Sequence, residues 1–353
     1  MKSPAHIPSL DGLRAISFAL VFGAHAAIPS PFPWPGTMGV TVFFFLSGFL
    51  ITTLLRLEQQ KNGAISLKKF YLRRALRILP PFYLVLAFAT FSAHVGLSFP
   101  GYQPLAVLAQ ALHVANYWVL EHTFAGFPIG TGVYWSLAVE EHFYLLFPWL
   151  FLLLVRLRAS AGRQALILLG VCAVILGWRL WLVYGLHAPS VRTEIASDTR
   201  FDSLLFGCAL ALYENPAVDA TSVREGIWKY VLLPLGLGGL LVSLVVRSDE
   251  FRDGVRYTLQ GISLVPVFVC AIRYPTWLPM RPLNWKPVAQ LGVLSYSLYL
   301  IHQVVIAIVH MQLPNQPNAV QSSLAFAGTL VLSIVMYQLV EKPCARLRKK
   351  LSA

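Results

Sequence analysis

The chain has 353 residues, 57% of them hydrophobic and 12% charged, and its mean hydropathy is +0.64. Soluble domains carry about 25% charged residues, so a water-soluble globular enzyme is excluded and an integral membrane protein with several spans is expected. The net charge of +13 does not point to nucleic acid, because the basic residues gather in alternate loops.

Ten segments are apolar and near the ~20 residues that a helix needs to cross the hydrocarbon: roughly 8–28, 36–55, 78–98, 133–155, 164–186, 198–213, 228–246, 255–272, 287–310 and 320–340. The sixth is short. The stretch 103–120 is apolar but holds Gln, His and Asn. It reads as an interfacial or re-entrant helix, and the topology changes if it spans. With ten spans, 21 lysines and arginines fall on the side of the N-terminus, the C-terminus and alternate loops, against five on the other. By the positive-inside bias both termini are cytoplasmic. The expected fold is all-α: a polytopic transmembrane helix bundle of about ten spans. One transmembrane domain covers 1–345, and 346–353 is a short basic cytoplasmic tail. The first segment carries charges and runs into a turn from Pro29 to Pro35, unlike a cleavable signal peptide. Cys172, Cys208, Cys270 and Cys344 show no metal-ligand spacing and read as small packing residues.

The first segment, LDGLRAISFALVFGAHA, holds Asp11, Arg14 and His25. Ionisable groups inside a membrane segment point to function. Arg14 and His25 are eleven residues apart, which in a helix is three turns plus ~20° and an axial rise of ~16 Å. They therefore share a face, and Asp11 is placed to pair with Arg14. The plainer reading of Asp11 and Arg14 is surface anchoring, and of His25 a satisfied packing residue. In the second segment, Ser47–Gly48 reads as close helix packing ahead of a nucleophile, since no GxSxG elbow surrounds it.

The basic loop ISLKKFYLRRALRILPP is explained by topology alone. Arg73, Arg74 and Arg77 at steps of three and four also suit a cytoplasmic phosphate site. In VYWSLAVEEHFYLLFP, Glu140 continues a polar line through Ser136 and Tyr144 and is expected to face the bundle interior, with Glu141 nearer the surface. Arg200 and Asp202 open the sixth segment, where they either brace each other or contact a substrate. Ser295, Tyr299 and His302 point to a polar cavity or a hydrogen-bonded helix contact. Glu341 reads as structural.

The ordered set Arg-x10-His, FFFLSGFL, RRALRILP, YWSLAVEEHFYLLFP, RFDSLLFG and SYSLYLIH resembles the acyltransferase family 3 membrane proteins, over nearly the whole chain. That resemblance implies a bundle of about ten helices in a bacterial inner membrane that moves an acyl group, often acetyl from acetyl-CoA, to a hydroxyl acceptor. It matches Arg14 and His25 to a pair treated as essential in that family, and Glu140 to its WSLxxE motif. Some members carry an SGNH-type domain; this chain reads as a stand-alone member.

On the enzyme reading, His25 is a general base, a role that neutral imidazole fits near neutral pH. Glu140 holds the ring's other nitrogen by the logic of a catalytic triad. Arg14, Arg73, Arg74 and Arg77 bind the phosphates or pantetheine arm of an acyl-CoA donor. A glycan, lipid-linked sugar or other hydroxyl compound is the acceptor. Asp11, Arg200 and Asp202 are candidate substrate contacts; Ser136, Tyr144 and His302 are candidate oxyanion donors, and a covalent acyl-histidine or acyl-serine step stays open. No metal or bound cofactor is expected. The rival reading is a transporter or flippase of a polar solute that uses the same buried charges.

Overall fold

The computed structural model describes residues 7–26, 28 and 30–352. Lys2 of the basic N-terminal side, Pro29 of the proline-rich turn and Ala353 of the tail lie outside the described residues. Every regular element among the described residues is helical. In chain order these are α1 (Pro8–His25), α2 (Gly36–Asn62), α3 (Leu67–His94), α4 (Pro104–Ala111), α5 (Ala115–His122), α6 (Tyr134–Arg156), α7 (Ala161–Leu180), α8 (Ser190–Ile195) and α9 (Ser197–Leu212). They continue with α10 (Glu225–Val245) and α11 (Phe251–Arg273), then α12 (Lys286–Val293), α13 (Ser295–Gln312), α14 (Asn318–Met336) and α15 (Lys342–Ser352). Serine side chains cap two of them: Ser66 accepts from the Lys69 amide before α3, and Ser160 from the Arg163 amide before α7, each satisfying a first-turn donor.

Seven helices among the described residues are long and apolar enough to cross a membrane: α2, α3, α6, α7 with its π turn to Gly185, α10, α11, and Asn318–Arg348, which joins α14 to α15. The broken pair α12 and α13 makes eight if counted as one span. The two other expected segments are helices as well. α1 has 18 residues and α9 has 16, and at about 1.5 Å per residue α9 falls short of a ~30 Å hydrocarbon core. The stretch 103–120 is broken into α4 and α5, of eight residues each, with His113 between them at a positive φ of 56°. Neither crosses by itself.

The chain forms two compact units. The first comprises residues 1–17, 37–65 and 139–293. Its centre is α9, buried at nearly every position from Ser197 to Leu212 and packed by α7 and α11. α2 reaches α9 through glycines. A Cβ on Gly48 would overlap the Leu204 carbonyl, and one on Gly207 would overlap the Phe45 carbonyl, so backbone rests on backbone as small residues in membrane helices allow. This bears out the packing reading for Gly48; Ser47 instead makes polar contacts. Arg56 at the far end of α2 pairs with Asp219 at 2.8 Å and donates to the Ala211 carbonyl at 2.8 Å, closing the last turn of α9.

The second unit comprises 18–36, 66–138 and 294–353. α13 packs along α14 and α3, and α15 along α3. Tyr296 donates to the Ile78 carbonyl at 2.8 Å, and Ser297 donates to Glu341, so Glu341 ties the end of α14 to α13 as a structural residue. Ser322 of α14 donates to the Ala26 carbonyl at 2.5 Å and secures the end of α1.

Replacing Gly48 by Leu forces α2 off α9 and should cost about 3 kcal/mol of stability. Gly170, which a Cβ meets nothing within 4 Å, should accept Ala without loss. Thermal unfolding of both variants in detergent, read by intrinsic fluorescence, checks the contrast.

Candidate active site

In the second unit the polar face of α13 meets the last turns of α1. His25 Nδ1 lies 2.9 Å from His302 Nε2, and the two rings stack with centroids 5.1 Å apart. His302 is 0% exposed and sits among Phe18, Phe22 and Tyr299. Its Nδ1 is 2.7 Å from the Tyr299 carbonyl oxygen. Phe18, Phe22 and His25, at steps of four and three, form the stripe of α1 that faces His302.

His25 is half-buried and forms part of the wall of a cavity of about 380 Å³. The rest of the wall is Gln303 of α13, Val133 and Trp135 at the start of α6, and the preceding loop through Phe124, Phe127, Pro128, Ile129, Gly130 and Gly132. Gly130 has φ +89°, and a Cβ there would overlap the backbone at Val304, so the loop lies flat against α13 only with glycine. Thr131 anchors it: its hydroxyl donates to the Pro128 carbonyl at 2.7 Å, and Gln110 of α4 donates to the Thr131 hydroxyl at 2.8 Å. Ser136 donates to the Val133 carbonyl at 2.9 Å and meets the Tyr299 hydroxyl at 2.6 Å. The contact between the two hydroxyls joins α6 to α13.

On α3, Arg73 and Arg74 are half-buried and Arg77 is exposed. Arg74 lies over the Phe70 ring at 5.8 Å. α15 packs on this helix and brings Arg348 within electrostatic reach of Arg77 and Arg73. A concentrated basic patch results.

In the first unit Asp11 and Arg14 form the expected pair at 2.6 Å, both largely buried. Ser47 of α2 donates to Glu140 at 2.6 Å, and Tyr144 donates to Ser47 at 3.0 Å. Glu140 and Tyr144 thus share a polar line that ends on Ser47. Glu140 and Glu141 are both half-buried, without the expected difference in exposure.

Two expectations are corrected. The imidazole nitrogen of His25 assigned to Glu140 is held by His302; periodicity identified the polar faces but not which helix each one meets. Arg200 and Asp202 do not brace each other. Asp202 binds Arg179 of α7 at 2.7 and 3.1 Å and accepts from Thr258 of α11 at 2.9 Å. Arg200 donates to the Glu194 carbonyl at 3.0 Å and to Thr41 at 3.1 Å, with its guanidinium 3.7 Å from the centre of the Tyr257 ring. Both are 0% exposed and bonded within the first unit. Residues two apart on a helix point about 200° away from each other, and here each found its partners on other helices.

Sequence reasoning passed over the cavity loop. Its signal was present in Gly126, Pro128, Gly130 and Gly132, a cluster of turn formers ahead of an apolar helix.

Residues 7–338 match the family model of an acyltransferase domain. Among curated proteins, the peptidoglycan O-acetyltransferase OatA of Listeria monocytogenes is 29% identical, over 97% of this chain and 56% of its own length. A putative O-acetyltransferase of Staphylococcus aureus is 30% identical over 97% of this chain and 58% of its own. The O-acetyltransferase OatA of Staphylococcus aureus is 30% identical over 99% and 58%. The chain therefore spans a little over half the length of these relatives. No solved structure matches.

The fully buried Arg179–Asp202 pair gives a direct stability test. Asp202→Ala leaves Arg179 charged and uncompensated, and should cost about 3–5 kcal/mol, while replacing both by apolar residues of similar volume should recover most of it. Chemical denaturation of the single and double variants in detergent measures both.

Proposed function

The chain belongs to the acyltransferase family, an integral membrane family, and on that premise we propose that it is a membrane O-acyltransferase with His25 as its general base. The observation that carries this reading is the His25 imidazole, bonded at Nδ1 to His302 and forming part of the wall of a 380 Å³ cavity. The acyl group, acetyl by analogy with the relatives' names, comes from acyl-CoA. The acceptor is a hydroxyl on a glycan, of which peptidoglycan is the instance named for a relative. Aromatic and apolar walls with a few polar groups suit a ligand that is held by shape and oriented by few hydrogen bonds; Phe127, Trp135 and Gln303 supply such a lining.

His25 takes the proton of the acceptor hydroxyl as that oxygen attacks the thioester carbonyl. The C–S bond of the tetrahedral intermediate then breaks, and the imidazolium returns its proton to the leaving thiolate. Arg73, Arg74 and Arg77 hold the donor's phosphates by charge-assisted hydrogen bonds, with Arg14 as a further donor contact. Glu140, which accepts from Ser47, is a further candidate catalytic group. The protein lies in a bacterial inner membrane, with about ten spans and cytoplasmic termini.

Purified protein in detergent with labelled acetyl-CoA should release thiol and transfer label to glycan acceptors. His25→Ala should lower turnover by about 10²–10⁴-fold, the range for loss of a general base. Glu140→Gln should lower it far more than Glu141→Gln. Uptake of a solute without acyl transfer would replace the enzyme by a transporter. The donor side has its own test. Arg77→Ala should raise KM for acetyl-CoA by about 10-fold or more, the worth of one hydrogen bond to a charged group. KM for acetyl-pantetheine, which lacks the nucleotide phosphates, should stay unchanged.

A further inference from the structure

The protons on the His25–His302 pair are determined by what each nitrogen meets. A carbonyl oxygen can only accept, so the 2.7 Å contact between His302 Nδ1 and the Tyr299 carbonyl places a proton on that nitrogen. His302 is 0% exposed and walled by Phe18, Phe22 and Tyr299. A charged ring there would be costly, so His302 is neutral and its Nε2 is an acceptor. The 2.9 Å contact to His25 Nδ1 then requires the hydrogen on His25 Nδ1, and the lone pair of His25 is left on Nε2.

We propose that His302 is a positioning residue that locks His25 in the Nδ1–H tautomer, so that Nε2 is the basic nitrogen offered to the acceptor hydroxyl. The inference rests on the acyltransferase reading and names the device that makes its base competent. Free imidazole exchanges between two tautomers, and only one of them has the lone pair on the nitrogen opposite His302. When His25 takes a proton at Nε2 it becomes an imidazolium, and its Nδ1–H bond to His302 becomes charge-assisted and stronger. The chain of bonds ends on the Tyr299 carbonyl, which orients His302 but takes no proton. The transferred proton therefore stays within the histidine pair until the leaving thiolate collects it.

The role differs from simple packing in a way that spectra and kinetics resolve. Full-length protein labelled with 15N-histidine in detergent, with His25→Gln used to assign the His25 signals, should show a protonated Nδ1 and an unprotonated Nε2 on His25 in the neutral state. His302→Leu keeps apolar bulk but removes the acceptor. It should shift His25 toward the other tautomer and lower kcat by about 10²-fold, as loss of general-base function does, with KM for acetyl-CoA within about two-fold. His302→Gln offers an amide oxygen near the position of Nε2 and should recover most of that kcat. A wild-type His25 that carries its proton on Nε2 overturns the proposal, as does a folded His302→Leu variant with unchanged kcat. If His302→Leu fails to fold, the wild-type tautomer and the His302→Gln kcat decide alone. Absence of transfer by the wild type with the Nδ1–H tautomer in place overturns the enzymatic reading, whereas transfer with the other tautomer overturns the role of His302 only.

Discussion

A polar group inside an apolar helix bundle must find its partner within the protein, because lipid supplies none. This constraint accounts for most of the side-chain bonds observed. Hydroxyls on the long helices fold back onto their own backbone, as Ser17 does to the Leu13 carbonyl at 2.8 Å and Thr53 to that of Phe49 at 2.7 Å. Charges are closed into local sets. Arg179, Asp202, Thr258 and the Thr199 carbonyl form one, and Arg56 with Asp219 and the end of α9 forms another. A buried guanidinium and carboxylate at full contact repay part of their desolvation, and losing either member costs more than the pair contributes. Such sets identify architecture. His25 differs from these sets: it is bonded at Nδ1 to His302 and also forms part of the wall of a cavity, which is why the general base is proposed there.

The sequence carried the parts of the fold that depend on one helix at a time. The apolar segments became helices, the i,i+3 spacing of Asp11 and Arg14 became an ion pair, and the small Gly48 became a close helix contact. The shared face of Glu140 and Tyr144 was legible for the same reason, since period alone decides it. The partners across helices were not. His25 and His302 are 277 positions apart, and nothing in the pattern of either segment names the other. Glu140 was matched with a histidine by motif and depth, while the hydroxyl that donates to it, Ser47, stood in a segment read for packing. Arg200 and Asp202 were matched by adjacency, yet each turned to a different helix. The break at His113 that splits 103–120 was hidden because positive φ at a non-glycine residue leaves no compositional mark.

The glycines of the cavity loop show why a site in such a bundle needs an irregular segment. A continuous helix would line a cavity only with side chains at fixed spacing. The loop from Phe124 to Val133 instead presses backbone against α13 at Gly130 and presents Phe127 and Ile129 from neighbouring positions. Irregular backbone in this setting needs its polar groups satisfied by protein, and the buried Gln110–Thr131 bonds perform that service.

An imidazole held by a second imidazole also differs in energetics from one held by a carboxylate. In the triad arrangement the carboxylate stabilises the imidazolium, and it must itself be kept charged and hydrogen-bonded. In an apolar bundle that resting charge would require a cation of its own. A neutral histidine anchored to a carbonyl fixes the tautomer without any resting charge, and it stabilises the imidazolium less. For the proposed attack on a thioester the trade is favourable. The leaving thiol resembles a free cysteine, with a pKa of about 8.5, so it departs as a thiolate with little acid assistance. What the proposed reaction asks of its base is correct aim and a proton held briefly, and those are the properties that a buried His302, tethered to its own helix, would confer on His25.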